Sequence, residues 1–220
     1  MRDEYEYSYE QDSYYCYPNS ETLRNKLDIN DSKALMIAER EITAVRVYEI
    51  KETPIKGNFD LQHLQAIHHA IFSDVFEWAG KLRTVNIAKG NQFCMAQHLE
   101  TYAGNIFSQL KAENNLCGKS LEEMPERLTY YLSEINVLHP FREGNGRTQR
   151  VFIEYLARNA GFYIDFSTVD SKEMIQASAL SFACEYDMMT EMFQRIISPI
   201  SAEEREVFAR KLKPRKSNKD

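Results

Sequence analysis

Residues 139 to 150, HPFREGNGRTQR, combine side chains that suit chemistry on a phosphate. His139 has an ordinary pKa near neutrality, which suits a general base. Glu143 offers the hard oxygen ligand that Mg²⁺ accepts beside substrate phosphates. Arg147 and Arg150 are three positions apart, so they share one face if this stretch is helical. The spacing therefore predicts a site where a base, a metal ion and two guanidinium groups meet a phosphate chain.

The segment from Gly144 to Arg147 is the predicted start of a helix. The first N–H groups of a helix have no partner inside it, and the helix dipole adds partial positive charge there. Glycines at 144 and 146 bring the backbone close to a ligand because they have no Cβ. We therefore expect Gly144, Asn145 and Gly146 to form an anion nest, with both arginines pairing to phosphate oxygens.

The start of the motif should end the helix before it. Pro140 is expected to hold His139 in an extended backbone conformation, and Phe141 is expected to anchor the loop in the core. The implied reaction is attack of a hydroxyl group on a nucleotide phosphate, with His139 taking the proton. Each feature alone is commoner in a polar turn or a solvated helix face, and only their conjunction favours this interpretation.

The elements that must position this motif are helices, judged by their hydrophobic spacing and capping residues. On the first, the predicted apolar face holds Leu35, Ala38, Ile42 and Val45. Residues 83 to 96 instead show short β-favouring runs around a turn, which is typical of a hairpin. The sequence predicts an all-α helical bundle with one small β-hairpin next to the active-site loop. The predicted helices start after Asp31, Asp60, about 97, Ser120 with Glu123, Gly144, Asp170 with Glu173, and at 202.

Composition limits the class of protein. The chain has 220 residues, 43% of them hydrophobic, which suits one large domain. A net charge of −6 argues against direct nucleic-acid binding and against a membrane partner. The four cysteines form no CxxC pair, so reduced thiols are expected. The N-terminus lacks the features of a signal peptide, and a cytoplasmic location is expected, with secretion by a route without a cleaved signal left open.

Three segments are expected along the chain: an N-terminal arm (1–20), a catalytic domain (21–200) and a C-terminal helix with a basic tail (201–220). The arm carries six of the 13 tyrosines, at positions 5, 7, 9, 14, 15 and 17. One interpretation is a loosely ordered arm that lays some aromatic rings on the domain. The other is a docking or self-modification segment, in which accessible tyrosines serve as acceptors.

The motif matches, position for position, the HxFx[D/E]GNGRxxR signature of Fic-domain proteins (filamentation induced by cAMP), and the chain resembles that family. FEWAGKLRT (76–84) resembles the stretch that leads into the family's flap, and YPNSETLRNKL (17–27) resembles the N-terminus of bacterial members. The resemblance covers about residues 17 to 198. It implies the Fic fold, in which the predicted hairpin is the flap beside the active-site loop.

The resemblance also implies an activity, the transfer of AMP from ATP to a Ser, Thr or Tyr hydroxyl of a target protein with release of pyrophosphate. His139 would be the catalytic base and Glu143 the ligand of Mg²⁺. The implied nucleotide-binding residues are Gly144, Asn145, Gly146, Arg147 and, at the γ-phosphate end, Arg150. The flap, here Ile87, Lys89, Gly90 and Asn91, would dock a segment of the target by main-chain pairing. Resembling bacterial members modify type II topoisomerases or GTPases, and the sequence does not choose between them.

Gly146 separates two chemistries within the family. A kinase-like branch carries a lysine there and transfers the terminal phosphate, so glycine favours AMP transfer over phosphotransfer. A silent nucleotide-binding module is a further alternative, and the presence of both His139 and Glu143 argues against it.

Many members carry an inhibitory pattern, [S/T]xxxE[G/N], whose glutamate pairs with the second motif arginine. No complete copy occurs here, and Ser32, for example, is followed four positions on by Met36. Either a small separate antitoxin chain supplies a glutamate to Arg150, as the resemblance to toxin-type members implies, or the helix at 32–50 is a degenerate internal inhibitor and the enzyme is constitutively competent.

Overall fold

Helices dominate the structure, a computed structural model that describes residues 7–9 and 13–213. The described residues form eight α-helices, which confirms the predicted all-α class. Their bounds are Ser32–Glu52 (α1), Leu61–Phe72 (α2), Leu99–Ala112 (α3), Met124–Leu138 (α4), Asn145–Ala160 (α5), Ser171–Phe182 (α6), Asp187–Ile196 (α7) and Ala202–Leu212 (α8).

Predicted caps set the start of several helices. The side chains of Asp31, Asp60 and Asp170 each accept a hydrogen bond from a backbone N–H of the first helical turn, as expected. The second half of the capping box predicted after Asp170 does not form. Glu173 instead pairs with Arg195 of α7 at 2.6 Å, because α6 and α7 pack against each other.

α4 and α5 form the centre of the bundle, and α2, α3 and α7 pack around them. The predicted inward residues of α4, such as Leu128 and Ile135, are fully buried, as are Ile153 and Leu156 of α5. Residues 139 to 144 connect these two helices. The core packing of both helices therefore fixes the two ends of the motif loop.

α1 buries only part of the predicted face: Leu35 lies in the core and Ile42 packs against it, but Val45 does not. Val45 is 58% exposed, whereas Glu39 and Thr43 are buried. The prediction was wrong here because both polar side chains turn toward Arg147, at the start of α5. Hydrophobic spacing predicts which apolar residues are buried, and it gives no signal for polar residues that are buried by a contact with a distant arginine.

The predicted hairpin is present as β2 (Ile87–Lys89) and β3 (Asn91–Gln92), joined at Gly90. Gly90 has a φ of +73°, the left-handed region that glycine adopts without strain. A third strand that the sequence did not predict, β1 (Tyr7–Tyr9), pairs antiparallel with β2, so the order is β1-β2-β3. The hairpin is therefore the centre and one edge of a three-stranded sheet.

A second small sheet was also not predicted. β4 (Phe162–Ile164) follows α5 directly and pairs antiparallel with β5 (Ile197–Pro199). Both strands have three residues, too few for an alternating pattern to stand out in the sequence. This sheet links the end of α5 to the end of α7.

The N-terminal arm lays an aromatic ring on the domain, as one interpretation expected. Tyr15 is 2% exposed, its hydroxyl oxygen accepts a hydrogen bond from the N–H of Thr84 at 3.2 Å, and its ring meets Trp78 edge-on at 5.6 Å. The assumption that Tyr15 is an accessible acceptor was therefore wrong. Tyr5 lies outside the described residues.

α8 ends the described chain at the predicted position. Ser201 and Glu204 form a capping box at its start, and Phe208 and Leu212 are buried against the bundle. Residues 214 to 220 of the predicted basic tail lie outside the described residues. Neither α8 nor any other described helix is long and apolar enough to cross a membrane.

Candidate active site

The motif loop begins with a sharp reversal at His139. This residue has φ 44° and ψ 59°, the left-handed conformation, and its N–H donates to the carbonyl oxygen of Ile135 at 3.0 Å. The extended backbone predicted from Pro140 was therefore wrong. The residue before proline is disfavoured in the right-handed helical region, and a left-handed C-cap also avoids that region. The reversal sends Phe141 straight back into the core.

Phe141 anchors the loop as predicted, through a residue that the sequence did not single out. Phe141 is fully buried and stacks on His68 at 3.9 Å. His68 Nδ1 accepts from the N–H of Gly80 at 2.8 Å, so Nε2 is the protonated nitrogen and donates to the carbonyl oxygen of Glu143 at 3.0 Å. A neutral histidine of α2 thus holds the backbone of the predicted metal ligand.

Asn145 closes the same loop with its side chain. Its Oδ1 accepts from the N–H of Phe141 at 2.9 Å, and its Nδ2 donates to the carbonyl oxygen of Phe141 at 2.7 Å. The buried amide therefore fixes the loop, and only the backbone N–H of Asn145 is left for the predicted anion nest.

Gly144 is required by packing rather than by the approach of a ligand. Its φ is +81°, and a Cβ there would lie 2.1 Å from Cζ of Phe72. Gly146 is the open position, since a Cβ on it would meet only Nη1 of Arg150, at 3.4 Å. The expectation that both glycines clear space for a ligand is thus corrected for Gly144.

Gly144→Ala is expected to destabilise the protein by about 2–5 kcal/mol, the sum of a left-handed backbone cost and overpacking against Phe72. Chemical denaturation measures the change. Gly118→Ala is the matched control, because Gly118 shares a positive φ (+94°) but has nothing within 4 Å of its Cβ position. A loss for Gly144→Ala no larger than the control's would refute the packing argument.

His139 is buried near two positively charged side chains, Arg83 and Lys89. It is 6% exposed, and its ring stacks on that of Phe93 at 3.8 Å. Burial, and then the positive charges of Arg83 and Lys89, lower the pKa of His139 to about 3. The imidazole is therefore neutral at physiological pH, the form that can accept a proton.

Arg83 ties the hairpin to the motif loop, a role that sequence reasoning missed. Its buried guanidinium donates from Nε to the carbonyl oxygen of His139 at 2.8 Å and from Nη1 to that of Val85 at 2.6 Å, and Nη2 reaches the carbonyl oxygen of Cys94. The N–H of Arg83 also donates to the carbonyl oxygen of Pro140 at 2.9 Å. Both ends of the hairpin are thereby fixed to the residue predicted as the base.

Arg147 lies between two carboxylates. Its Nη1 is 2.5 Å from Oε1 of Glu39 and donates to Oγ1 of Thr43 at 2.8 Å, while Nη2 is 3.8 Å from Oε1 of Glu143. Its guanidinium also covers the ring of Phe72 at 4.8 Å. Burial raises the pKa of Glu39 while Arg147 lowers it, and the nearby Glu143 raises it further. The structure thus adds Glu39, from α1, to the predicted site.

Arg150 differs from Arg147 in its surroundings. Among the described residues no carboxylate lies within ion-pair distance of it. Burial, and then the charge of Arg147, lower the pKa of Arg150.

The first backbone hydrogen bond of α5 runs from Thr148 N to Gly144 O at 3.2 Å, so the N–H groups of residues 145 to 147 have no acceptor within the helix. The start of α5 therefore combines helix-end N–H groups with two guanidiniums, a strongly anion-attracting end.

A large open groove lies elsewhere on the molecule. It has a volume of about 1200 Å³ and is lined by residues of α2, α3 and α8, such as Gln65, Glu100 and Ala209, and by none of residues 139 to 150. The candidate site is therefore located by its chemistry and not by the size of a cavity.

Buried neutral histidines should make the fold sensitive to acid. Burial lowers the pKa of His68 to about 3, so the unfolded chain takes up a proton near pH 6.5 while the folded chain does not. The stabilisation is complete above pH 6.5 and is lost as the pH falls. We expect His68 alone to account for about 2 kcal/mol of lost stability between pH 7.5 and pH 5.

Urea denaturation at the two pH values tests this expectation. His68→Gln should lose about 2 kcal/mol less than the natural chain over this interval, whatever its stability at pH 7.5. His98→Gln, at an exposed histidine, is the matched substitution for comparison. Equal pH dependence in all three proteins would contradict the argument.

Together the bundle and the site define a class of protein, an α-helical bundle in which the central helix has an anion-attracting start beside a buried histidine. The Fic/DOC family profile matches residues 58–157, across the hairpin and the motif. The chain belongs to the Fic/DOC family, as the motif predicted.

Two curated relatives extend this match. The chain is 41% identical over 192 residues to protein adenylyltransferase VbhT of Bartonella schoenbuchensis. The matched region covers 87% of this chain but only 40% of that protein. It is 37% identical over 185 residues to the probable protein adenylyltransferase Fic of Salmonella typhimurium, covering 84% of the chain and 92% of the relative. Both relatives are named as protein adenylyltransferases, the class of enzyme that the motif predicted.

Solved structures agree with the fold. The N-terminal Fic domain of a VirB-translocated Bep effector protein from Bartonella quintana, solved with bound ADP, superposes with a TM-score of 0.80 at 30% identity. The match covers 86% of this chain and 96% of that one. The predicted Fic fold is therefore confirmed.

Proposed function

We propose that this chain is a protein adenylyltransferase that transfers AMP from ATP to a hydroxyl group of a target protein. The observation that carries the proposal is the neutral, buried His139 one loop away from the anion-attracting start of α5. The names of the relatives, and the ADP bound to a similar domain, support the same activity.

In the proposed reaction His139 takes the proton of the target hydroxyl. The hydroxyl oxygen bonds to the α-phosphorus of ATP, the bond from that phosphorus to the bridging oxygen breaks, and pyrophosphate leaves. The N–H groups of Asn145 and Gly146 and the guanidinium of Arg147 would bind the phosphates, whereas the predicted contribution of Gly144 is corrected because its N–H donates to Oε1 of Glu143. A triphosphate also brings negative charge near His139, which favours the protonated imidazole as it forms.

Mg²⁺ is proposed as the metal, with Glu143 as its protein ligand. No three His, Cys, Asp or Glu side chains cluster as a metal site among residues 7–9 and 13–213. A single carboxylate fits Mg²⁺, which often takes its other ligands from phosphates and water. Glu143 is half-exposed, with one carboxylate oxygen bonded to the N–H of Gly144 at 2.9 Å. When bound, the ion would neutralise charge on the phosphates.

AMP transfer is favoured over phosphotransfer at Gly146. The open space over this residue, next to Nη1 of Arg150, leaves room for the β- and γ-phosphates to extend toward that arginine. A phosphotransferase on the same fold is the second candidate.

The hairpin is proposed as the docking edge for the target. The Ile87 side chain is 1% exposed and Lys89 is half-buried, so the hairpin offers backbone rather than a side-chain pocket. Since β1 and β3 already pair with the two edges of β2, a docked segment would replace β1 or pair with the free edge of β3. Gly90 and Asn91 form the turn. Main-chain pairing to such an edge would hold an extended segment of the target beside His139.

A mass-shift assay in lysate tests the proposal. Purified chain with ATP and Mg²⁺ should add AMP to at least one protein, whereas a phosphotransferase adds phosphate and a silent module adds nothing. Each of the latter two outcomes would overturn the proposal. The same peptides would identify the target, for which type II topoisomerases and GTPases are proposed, with the cytoplasm as the proposed compartment.

A small antitoxin chain is proposed as the regulator, supplying a glutamate to Arg150. Two observations support it: the described residues give Arg150 no carboxylate, and α1 exposes large apolar side chains on which a partner helix could pack. These exposed side chains are Met36, Ile37, Val45 and Tyr48.

Glu39 allows the internal alternative to be tested. Because it pairs with Arg147 and not with Arg150, we expect Glu39→Gln to change the rate of AMP incorporation by less than about threefold, as for removal of one partly solvated ion pair. Thr43→Val, which removes the other contact of Arg147 with α1, is the matched control. A rise of tenfold or more for Glu39→Gln alone would identify α1 as the inhibitor.

A further inference from the structure

One face of the His139 ring is covered by the ring of Phe93. The two ring centroids lie 3.8 Å apart and the ring planes differ by only 14°, so the contact is face to face. Both side chains are buried, with His139 at 6% and Phe93 at 7% exposure. The plane of the imidazole is therefore held by a neighbour that neither donates nor accepts a proton.

The backbone on both sides of this aromatic ring is fixed. The N–H of Phe93 donates to the carbonyl oxygen of Ile87 at 3.2 Å. The next residue, Cys94, donates its N–H to the carbonyl oxygen of Val137 in α4 at 2.9 Å, and its own carbonyl oxygen accepts from Arg83. The ring therefore projects from a backbone that is bonded both to the hairpin and to the helix that precedes the predicted base.

A second aromatic ring, that of Phe182, supports the first. Phe182 is the last residue of α6, and its ring lies 5.7 Å from that of Phe93 at an angle of 80°. Aromatic pairs favour this edge-to-face arrangement. Because α6 packs against α4, the position of Phe182 is set by the same bundle that positions the motif loop.

The face of the Phe93 ring lies where positive charge develops during the proposed reaction. When His139 takes the proton of the target hydroxyl, the neutral imidazole becomes an imidazolium. Arg83 and Lys89 oppose that charge. The electron-rich face of an aromatic ring instead attracts a cation within about 6 Å of its centroid, and more strongly where water is excluded. The contact with Phe93 is thus stronger for the protonated base than for the neutral one, which is the condition for speeding the reaction.

We propose that Phe93 is a positioning residue for His139: its ring sets the plane of the imidazole, and its face stabilises the imidazolium that forms on proton transfer. Phe182 holds that ring in place. This inference rests on the proposed function and deepens it, since it concerns the same base. Nucleotide binding should not depend on Phe93, because the phosphate contacts are proposed for the start of α5.

Fluorinated phenylalanines at position 93 separate the charge effect from packing. Fluorine withdraws electron density from the face of the ring and changes its size little, so each added fluorine weakens the attraction for a cation. With the full chain, ATP and Mg²⁺, AMP incorporation into lysate proteins at saturating ATP should fall stepwise, by about 5- to 30-fold for trifluorophenylalanine. The Kd for ATP and the melting temperature should stay unchanged.

Phe93→Leu and Phe107→Leu form a matched pair. Phe107 is buried to the same extent, at 6% exposure, and its ring meets that of Phe152 at 5.7 Å. Both variants lose an aromatic ring and should melt at a lower temperature. Only Phe93→Leu should also lose transfer rate, with the Kd for ATP unchanged. Phe182→Leu should lower the rate by a smaller factor, because the ring of Phe93 remains.

The outcomes are distinguishable. Equal transfer rates across the fluorine series would overturn this inference and leave the proposed function standing. An equal loss of rate in Phe93→Leu and Phe107→Leu, or a loss of ATP affinity in proportion to the loss of rate, would overturn it as well. No AMP on any protein with the natural chain would overturn the proposed function and this inference together.

Discussion

His139→Ala is expected to lower AMP transfer by about 10²- to 10⁴-fold, the usual contribution of a positioned general base, and to leave ATP binding within about threefold. The phosphate contacts are proposed for α5 and not for the imidazole, so nucleotide affinity should survive. The transfer rate under saturating ATP and the Kd for ATP measure the two quantities.

Folding must be separated from chemistry in that experiment, because the His139 ring also packs on Phe93. A thermal melt of each variant provides this control. His98→Ala, at an exposed histidine of the neighbouring segment, should keep full activity. Loss of ATP binding in a folded His139→Ala protein would give His139 a structural role instead.

The pH profile gives an independent readout. Since burial and Arg83 hold the pKa of His139 near 3 in the free chain, kcat/KM should not fall between pH 8 and pH 6 through protonation of this residue. If the base had the ordinary pKa of histidine, kcat/KM would fall by more than half over that range.

Gly146→Lys is expected to lower AMP transfer by at least about 10²-fold, comparable to the loss of one preorganised electrostatic contact. The new ammonium would occupy the open space beside Nη1 of Arg150 and block the path of the longer phosphate chain. The fold should survive, since this position is exposed and lysine has a higher helix propensity than glycine.

Gly146→Ala is the matched control, because its Cβ would meet only the flexible end of Arg150. It should be more stable by up to about 1 kcal/mol and retain most of the transfer rate. Full activity in Gly146→Lys would remove the argument that this glycine selects AMP transfer.

Sequence reasoning located the motif because its residues are neighbours along the chain. Capping residues, hydrophobic spacing and the turn at Gly90 likewise predicted most helices and the hairpin. These signals are local, and the structure confirms them.

The residues that support the motif come from far away in sequence. Arg83 is 56 positions from His139, and His68 is 75 from Glu143. Their types and spacing do not differ from those of surface residues, so only the packing of α2 and the hairpin against the loop reveals them. Glu39 was missed for a related reason. A carboxylate is not expected on the buried face of a helix, and only the position of Arg147 opposite it explains its burial.

The bonds of Arg83 divide the hairpin into two parts that should change at different rates during evolution. Its guanidinium binds the backbone of His139, Val85 and Cys94, so the base of the hairpin is locked to the reacting group. Within the described part of the chain, the turn at Gly90 and Asn91 makes no backbone hydrogen bond to the motif loop. We expect relatives to vary this tip freely and thereby acquire new targets, while the chemistry behind it is inherited unchanged.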